Sequence, residues 1–172
     1  MPSTYSLISS NVLTSSAASV TFSAIPSTYT DLVVRVSAKS DRANANDDIK
    51  MLVNGSTSSV YGSTWIIGNG ATPSSSRSTS VAYLPLQSGS TGGSTANVFS
   101  STEVYIPNYT SAIVHPVGSI QVQEDNATTA RISANAATYN TAEAITSLTF
   151  NIWTGPNFVS GSSFYLYGIK NS

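Results

Sequence analysis

Apolar and polar residues alternate one by one along much of this chain, the pattern of a β-strand with one buried face. In "DLVVRVSAK" (Asp31–Lys39), Leu32, Val34, Val36 and Ala38 fall on one side; Val33, Arg35, Ser37 and Lys39 fall on the other. Ile49, Met51 and Val53 share a face in "DIKMLVN", as do Leu148, Phe150 and Ile152 in "LTFNIW". Shorter runs at 5–9, 20–25, 59–67, 80–86, 98–106, 117–123, 130–136 and 163–170 bring the expected set to about eleven strands. The best helical candidate, "ANAATYNTAEAI" (Ala134–Ile145), lacks a consistent apolar face, so one turn at most is expected there.

The punctuation suits short strands. Asn54-Gly55 and Asn69-Gly70 are the dipeptides that type I′ hairpin turns prefer, because both central residues need positive φ. Two stretches, Gly68–Ser80 and Gln87–Asn97, are rich in Gly, Ser and Thr and are expected to be surface loops. The chain therefore predicts an all-β fold: a two-sheet antiparallel β-sandwich, jelly-roll-like, forming one domain over residues 1–172. In such a fold the first and last strands lie close together in one sheet. That would shelter the aromatic closing run "SFYLYGIK", with Phe164 and Leu166 in the core and Tyr165, Tyr167 and Ile169 on the other side. Outward tyrosines on a terminal strand would suit an oligomer interface.

Composition narrows the function. Only 9% of residues are charged, against about 25% in an ordinary domain, and the net charge is −1. Hydroxyls take the place of ions, with 33 serines and 20 threonines. Such a surface attracts phosphate weakly, which argues against nucleic acid. It also lacks the charge that keeps copies apart, so it suits an assembly. There is no Cys, hence no disulfide, thiolate metal site or Cys nucleophile. The opening "MPSTYSLISSNVLTSS" has no basic segment followed by an apolar core, and no apolar run is long enough to cross a membrane as a helix. A free-standing product that stays off membranes is expected.

No catalytic constellation stands out, and no enzyme or cofactor is expected. The single histidine, His115, precedes Pro116, and no G-x-S-x-G elbow occurs. The carboxylates Asp31, Asp41, Asp47, Asp48, Glu103, Glu124, Asp125 and Glu143 are scattered; only Glu103 falls inside a strand, and the rest read as solvated turn residues. "DRANANDD" gathers Asp41, Asn44, Asp47 and Asp48, weak candidates for a structural cation, but it does not match a Ca²⁺ loop, and turn formation explains it better. The sequons at Asn54, Asn108 and Asn126 read as coincidences of a Ser/Thr-rich chain. Tyr61 and Trp65, four apart on one strand face, and Trp153, near a turn, could stack on sugars if they are exposed.

Several phrases carry a resemblance. "SAASVTFSAIPSTYTDLVVRVSAKSD", with Thr4-Tyr5 and Leu7-Ile8 ahead of it, resembles the opening of small virion proteins of tailed marine and cyanobacterial bacteriophages. The matching positions are Ala17–Phe22, Ile25-Pro26 and Thr28–Leu32; "EVYIPNYTS" (Glu103–Ser111) and "NFVSGSSFYLYGIK" (Asn157–Lys170) continue the likeness. The loops at residues 68–97 carry none of it. The resemblance implies a virion structural protein assembled in the host cytoplasm. A capsid decoration (cement) protein that binds the major capsid protein as a homotrimer is the first expectation. A head- or tail-fibre adhesin that binds a host surface glycan is the second. It carries over no site residues.

Overall fold

The computed structural model describes residues 4–44, 46–90, 93–155 and 157–171. Twelve strands form among them, and no helix. In chain order they are β1 (Tyr5–Val12), β2 (Ser19–Phe22), β3 (Asp31–Ala38), β4 (Asn46–Val53), β5 (Tyr61–Gly68) and β6 (Ser74–Val81), then β7 (Leu84–Ser90), β8 (Ser100–Ile106), β9 (His115–Glu124), β10 (Ala130–Tyr139), β11 (Leu148–Ile152) and β12 (Ser163–Ile169). An eight-stranded sheet runs β1-β12-β3-β8-β9-β10-β5-β6, and a four-stranded sheet runs β2-β11-β4-β7. All pairings are antiparallel.

Setting aside β5, β6, β9 and β10 exposes the winding. The remaining strands change sheet at every step except from β4 to β7, giving β1-β12-β3-β8 in one sheet and β2-β11-β4-β7 in the other. These eight strands are the body of an antiparallel β-sandwich. The two inserted pairs associate through β10 and β5 and extend the large sheet beyond β8. Body and extension differ in a way that decides where the candidate sites lie.

Within the body, alternation works as expected. Leu32, Val34, Val36, Ile49, Met51, Val53, Leu148, Phe150 and Ile152 enter one core cluster. Each fully buried side chain of this kind stabilises by about 1.5–3 kcal/mol. β12 pairs with β1 on one side and β3 on the other, so the terminal strand is internal and β1 takes the edge. Phe164 and Leu166 are fully buried; Phe164 packs edge-on against Phe158 at 5.0 Å and tilted against Phe150 at 5.8 Å. Tyr165, Tyr167 and Ile169 lie on the opposite face, as read from the sequence, although Ile169 is itself covered. At Gly168 an added Cβ would lie 2.2 Å from the Tyr29 ring, so only glycine fits beneath that side chain.

Three local expectations are corrected, and that of at most one helical turn in Ala134–Ile145 agrees with the structure. Gly68–Ser80 is not all loop: β6 occupies its second half and pairs with β5. Its serines hid it, because a mostly solvent-exposed edge strand needs no apolar face. Gln87–Asn97 likewise begins as the end of β7. The stretch that was allowed one helical turn continues as β10 to Tyr139 and then becomes a helix-free connection. The two Asn-Gly dipeptides split the hairpin expectation between them. Asn54 and Gly55 both have positive φ, 51° and 67°, and the turn closes from Ser56 N–H to Val53 O at 2.9 Å, yet β4 and β5 part to different sheets. β5 and β6 do form a hairpin, but across residues 69–73, with only Gly70 of its dipeptide at positive φ. Asn54, Asn108 and Asn126 all sit at positive φ, which gives each sequon asparagine a backbone reason to be there.

Candidate functional site

The extension inverts the polarity of its sheet. β9 points Ser119, Gln121 and Gln123 inward, all buried, and β10 points Ser133 and Asn135 inward beside them. Hydrogen bonds satisfy part of this layer: Gln121 Nε2 donates to Ser119 Oγ at 2.7 Å, and Ser133 Oγ donates to Gln121 Oε1 at 2.6 Å. Asn135 Nδ2 donates to the Pro85 carbonyl of β7 at 2.9 Å, tying the layer to the other sheet. On the outer face of these strands Ile120, Val122, Ile132 and Ile66 are 57%, 40%, 56% and 62% exposed. Register joins them: Ile120 lies opposite Ala134, Ala134 opposite Ile66, and Val122 opposite Ile132. The result is an aliphatic face across β9, β10 and β5, bordered by Glu124 at the end of β9 and by Glu103, which lies opposite Ile120 on β8.

The predicted tyrosines of β12 are less free. Both are half-buried. Tyr167 meets Tyr5 edge-on at 6.4 Å, and the Arg35 guanidinium lies 5.8 Å and 5.9 Å from the two ring centres. Arg35 also pairs with Glu103 at 3.0 Å, in an exposed ion pair of small energetic weight.

A second surface lies on the inner side of β5. Trp65, Tyr83 and Trp153 line a groove of about 270 Å³ together with Asp48, Pro85 and Gln87. Trp65 comes from β5, flanked in register by Asn135 and Ser76. Tyr83 sits in the two-residue passage from β6 to β7, with the Lys50 ammonium 5.3 Å from its ring centre. Trp153 follows β11, and its backbone N–H donates to the Asp48 carbonyl at 2.8 Å. Arg131 holds the polar wall, reaching Asp48 Oδ1 at 3.6 Å and donating to Gln87 Oε1 at 3.1 Å. Burial, opposed by Arg131, raises the Asp48 carboxyl to about 6.

No protein-family model matches this chain, and comparison with curated proteins and with solved structures returns no match. Residue geometry therefore carries the functional reading.

Of the three sugar-stacking candidates, Trp65 and Trp153 come together and Tyr61 does not. Tyr61 is 1% exposed, lies 5.3 Å from Tyr139 in the core, accepts from Val53 N at 2.9 Å and donates to Ser56 O at 3.0 Å. Its end of β5 lies within the core cluster, whereas the Trp65 end opens on the groove. Tyr83 was missed, because nothing in "VAYLPL" marks the point at which the chain changes sheets.

The cation candidates also separate. Asp41 accepts from Asn157 N and Nδ2 at 2.9 and 3.1 Å. Asp47 pairs with Arg42 at 3.4 Å and accepts from Thr154 Oγ1 at 2.7 Å; Asp48 faces Arg131, and Asn44, with its amide turned so that the oxygen faces Arg42, accepts from two nitrogens of that guanidinium. These oxygens form no common cage, since two arginines and an asparagine have taken them up. Among the described residues no group of three His, Asp or Glu converges.

The remaining polar residues build structure. His115 is fully buried, and its Nε2 bonds the Glu143 carbonyl at 2.7 Å. Asp125 organises the β9–β10 connection. It accepts from Thr128 Oγ1 at 2.5 Å, Thr129 N at 2.8 Å and Ala127 N at 3.0 Å, and reaches Thr95 N at 3.0 Å. These bonds, the Thr128 hydroxyl first, hold its carboxyl well below the usual range. Lys39, read as outward from alternation, is buried, and its Nζ donates to Ser94 Oγ at 2.8 Å and Thr95 O at 3.0 Å.

Proposed function

We propose that this chain is a structural subunit of a virion, a capsid decoration protein that docks on the major capsid protein through the outer face of its large sheet. The observation that carries the proposal is the aliphatic face formed by Ile66, Ile120, Val122 and Ile132. Apolar patches of this kind on otherwise polar proteins mark interaction surfaces. The surrounding surface is rich in hydroxyls and poor in charge, and Glu103 beside Ile120 is paired with Arg35, so electrostatic opposition to close packing on a shell is small. Placement on a phage head rests on the resemblance in residues 4–41, 103–111 and 157–170, and the homotrimer rests on analogy with decoration proteins.

Quantitative mass spectrometry of purified particles tests the reading. Copies in the hundreds, scaling with the major capsid protein, are the expected result. A handful of copies would favour a fibre tip, and none would overturn the proposal. Particles assembled with Ile120→Lys, Ile132→Lys protein should lose the subunit while the isolated protein keeps its melting temperature.

A further inference from the structure

We propose that the groove between Trp65, Tyr83 and Trp153 binds a neutral saccharide, with one pyranose ring against tryptophan and its hydroxyls on Asp48 and Gln87. This goes beyond the docking reading and stands independently of it. Trp65 and Ile66 are consecutive in β5 and therefore point to opposite faces of the sheet. The groove and the aliphatic face can be occupied at once.

Three properties point to a sugar. The groove, at about 270 Å³, fits one or two rings, and two tryptophans and a tyrosine line it. Aromatic side chains combine a broad apolar face with a polar edge, which suits the alternating C–H and O–H surfaces of a pyranose. Trp153 is 47% exposed, and its backbone is tied to the Asp48 carbonyl, so its position beside the groove is fixed and its ring is accessible.

The polar wall is fixed as well. Arg131 binds both Asp48 and Gln87, so neither side chain must be ordered when a ligand arrives. Gln87 is 7% exposed, and its Oε1 accepts from Arg131, which fixes the amide with Nε2 as its donor end. Asp48 accepts from hydroxyls, and Gln87 Nε2 donates to them.

The same donor set disfavours the other ligand that aromatic grooves take. A proline-rich peptide presents carbonyl acceptors and no N–H at its prolines. An ionised Asp48 would face those carbonyls acceptor to acceptor. A saccharide hydroxyl can both donate to Asp48 and accept from Gln87, whereas a proline-rich peptide can satisfy only Gln87.

The chain has only two tryptophans, and both line the groove, so intrinsic fluorescence reports on this site alone. The full-length protein is titrated with tetramers of β-linked glucose, mannose, galactose and N-acetylglucosamine, and with a decaproline peptide. Concentrations reach about 10 mM, ten-fold above a millimolar Kd. At least one saccharide should give a saturable change, and Trp153→Ala should weaken it about ten-fold or more without altering the melting temperature. Asp48→Asn should also weaken it, checked by calorimetry because that signal does not depend on the fluorophores. No saturable response to any tetramer, a response to decaproline alone, or unchanged affinity in Trp153→Ala overturns the proposal.

Discussion

β3 and β9 lie two strands apart in one sheet and alternate alike, yet they turn opposite chemistries inward. β3 buries Leu32, Val34 and Val36 and exposes Arg35 and Ser37. β9 buries Ser119, Gln121 and Gln123 and exposes Ile120 and Val122. The difference follows what covers each strand. Beneath the body lie β2, β11 and β4, whose inner residues Val20, Phe22, Phe150 and Met51 complete an apolar core. The extension has β7 and the connection around Ser94 and Thr95, which bring Pro85 O, Gln87 and buried hydroxyls. An interior of that kind is held by hydrogen bonds as well as by area, and only part of its polar atoms are paired. The body thus carries the apolar core, and the extension turns its aliphatic side to solvent.

Mutations should separate the two regions by the size and kind of their effect. Phe164→Ala removes a ring packed between Phe150 and Phe158 and should cost about 3–5 kcal/mol in a denaturant titration. A cost under about 1 kcal/mol would break the picture of the body as the stability element. Gln121→Leu adds apolar character, yet it should destabilise by about 1–3 kcal/mol, because Ser119 and Ser133 lose their partner. A stabilised Leu variant would mean that the polar layer is not holding the extension together.

Acid should act through the β9–β10 connection. The Asp125 carboxyl is held below its unfolded value, about 3.9, so its contribution is present above that pH and is lost as pH falls below it. Between about pH 5 and pH 3, the melting temperature should fall less steeply in Asp125→Asn than in the native chain. Equal slopes would place the acid sensitivity elsewhere. Asp48 runs the other way. Its raised value near 6 means that the folded state favours the protonated form, so its ionisation opposes folding as pH rises through 6. The smallest stability effect belongs to Ile120→Lys, within about 0.5 kcal/mol, since the side chain is already solvated in the isolated chain. The comparison sharpens if that variant, unlike Phe164→Ala, leaves the fold intact and abolishes assembly.

Much of the body was legible in the sequence because its alternation carries a single meaning. In "LVVRVS" and "SFYLY" the alternate apolar residues Leu32, Val34, Val36, Phe164 and Leu166 are inner as expected, although Val33, Asp31 and Lys39 of the β3 segment are buried as well. The extension resisted the same reading. Alternation in "SIQVQ" marks two faces of β9 but does not say which is inner, because that depends on the partner layer. β6 was hidden for a related reason, since an edge strand of serines has no apolar face to detect. Trp65 and Trp153 were visible as aromatics, but they are 88 positions apart, and only packing brings them into one groove with Tyr83.

By itself the sequence determined an all-β sandwich, the core of its body and the closing strand that β1 and β3 enclose. These follow from local periodicity and turn chemistry, which each segment carries alone. Tertiary structure decided that two inserted pairs would join into one extension. It also decided that the extension would face outward with its aliphatic side, that Tyr61 would be buried, and that a groove would open beside Trp65. Those outcomes depend on which layer covers which face, and no short stretch of chain contains that information.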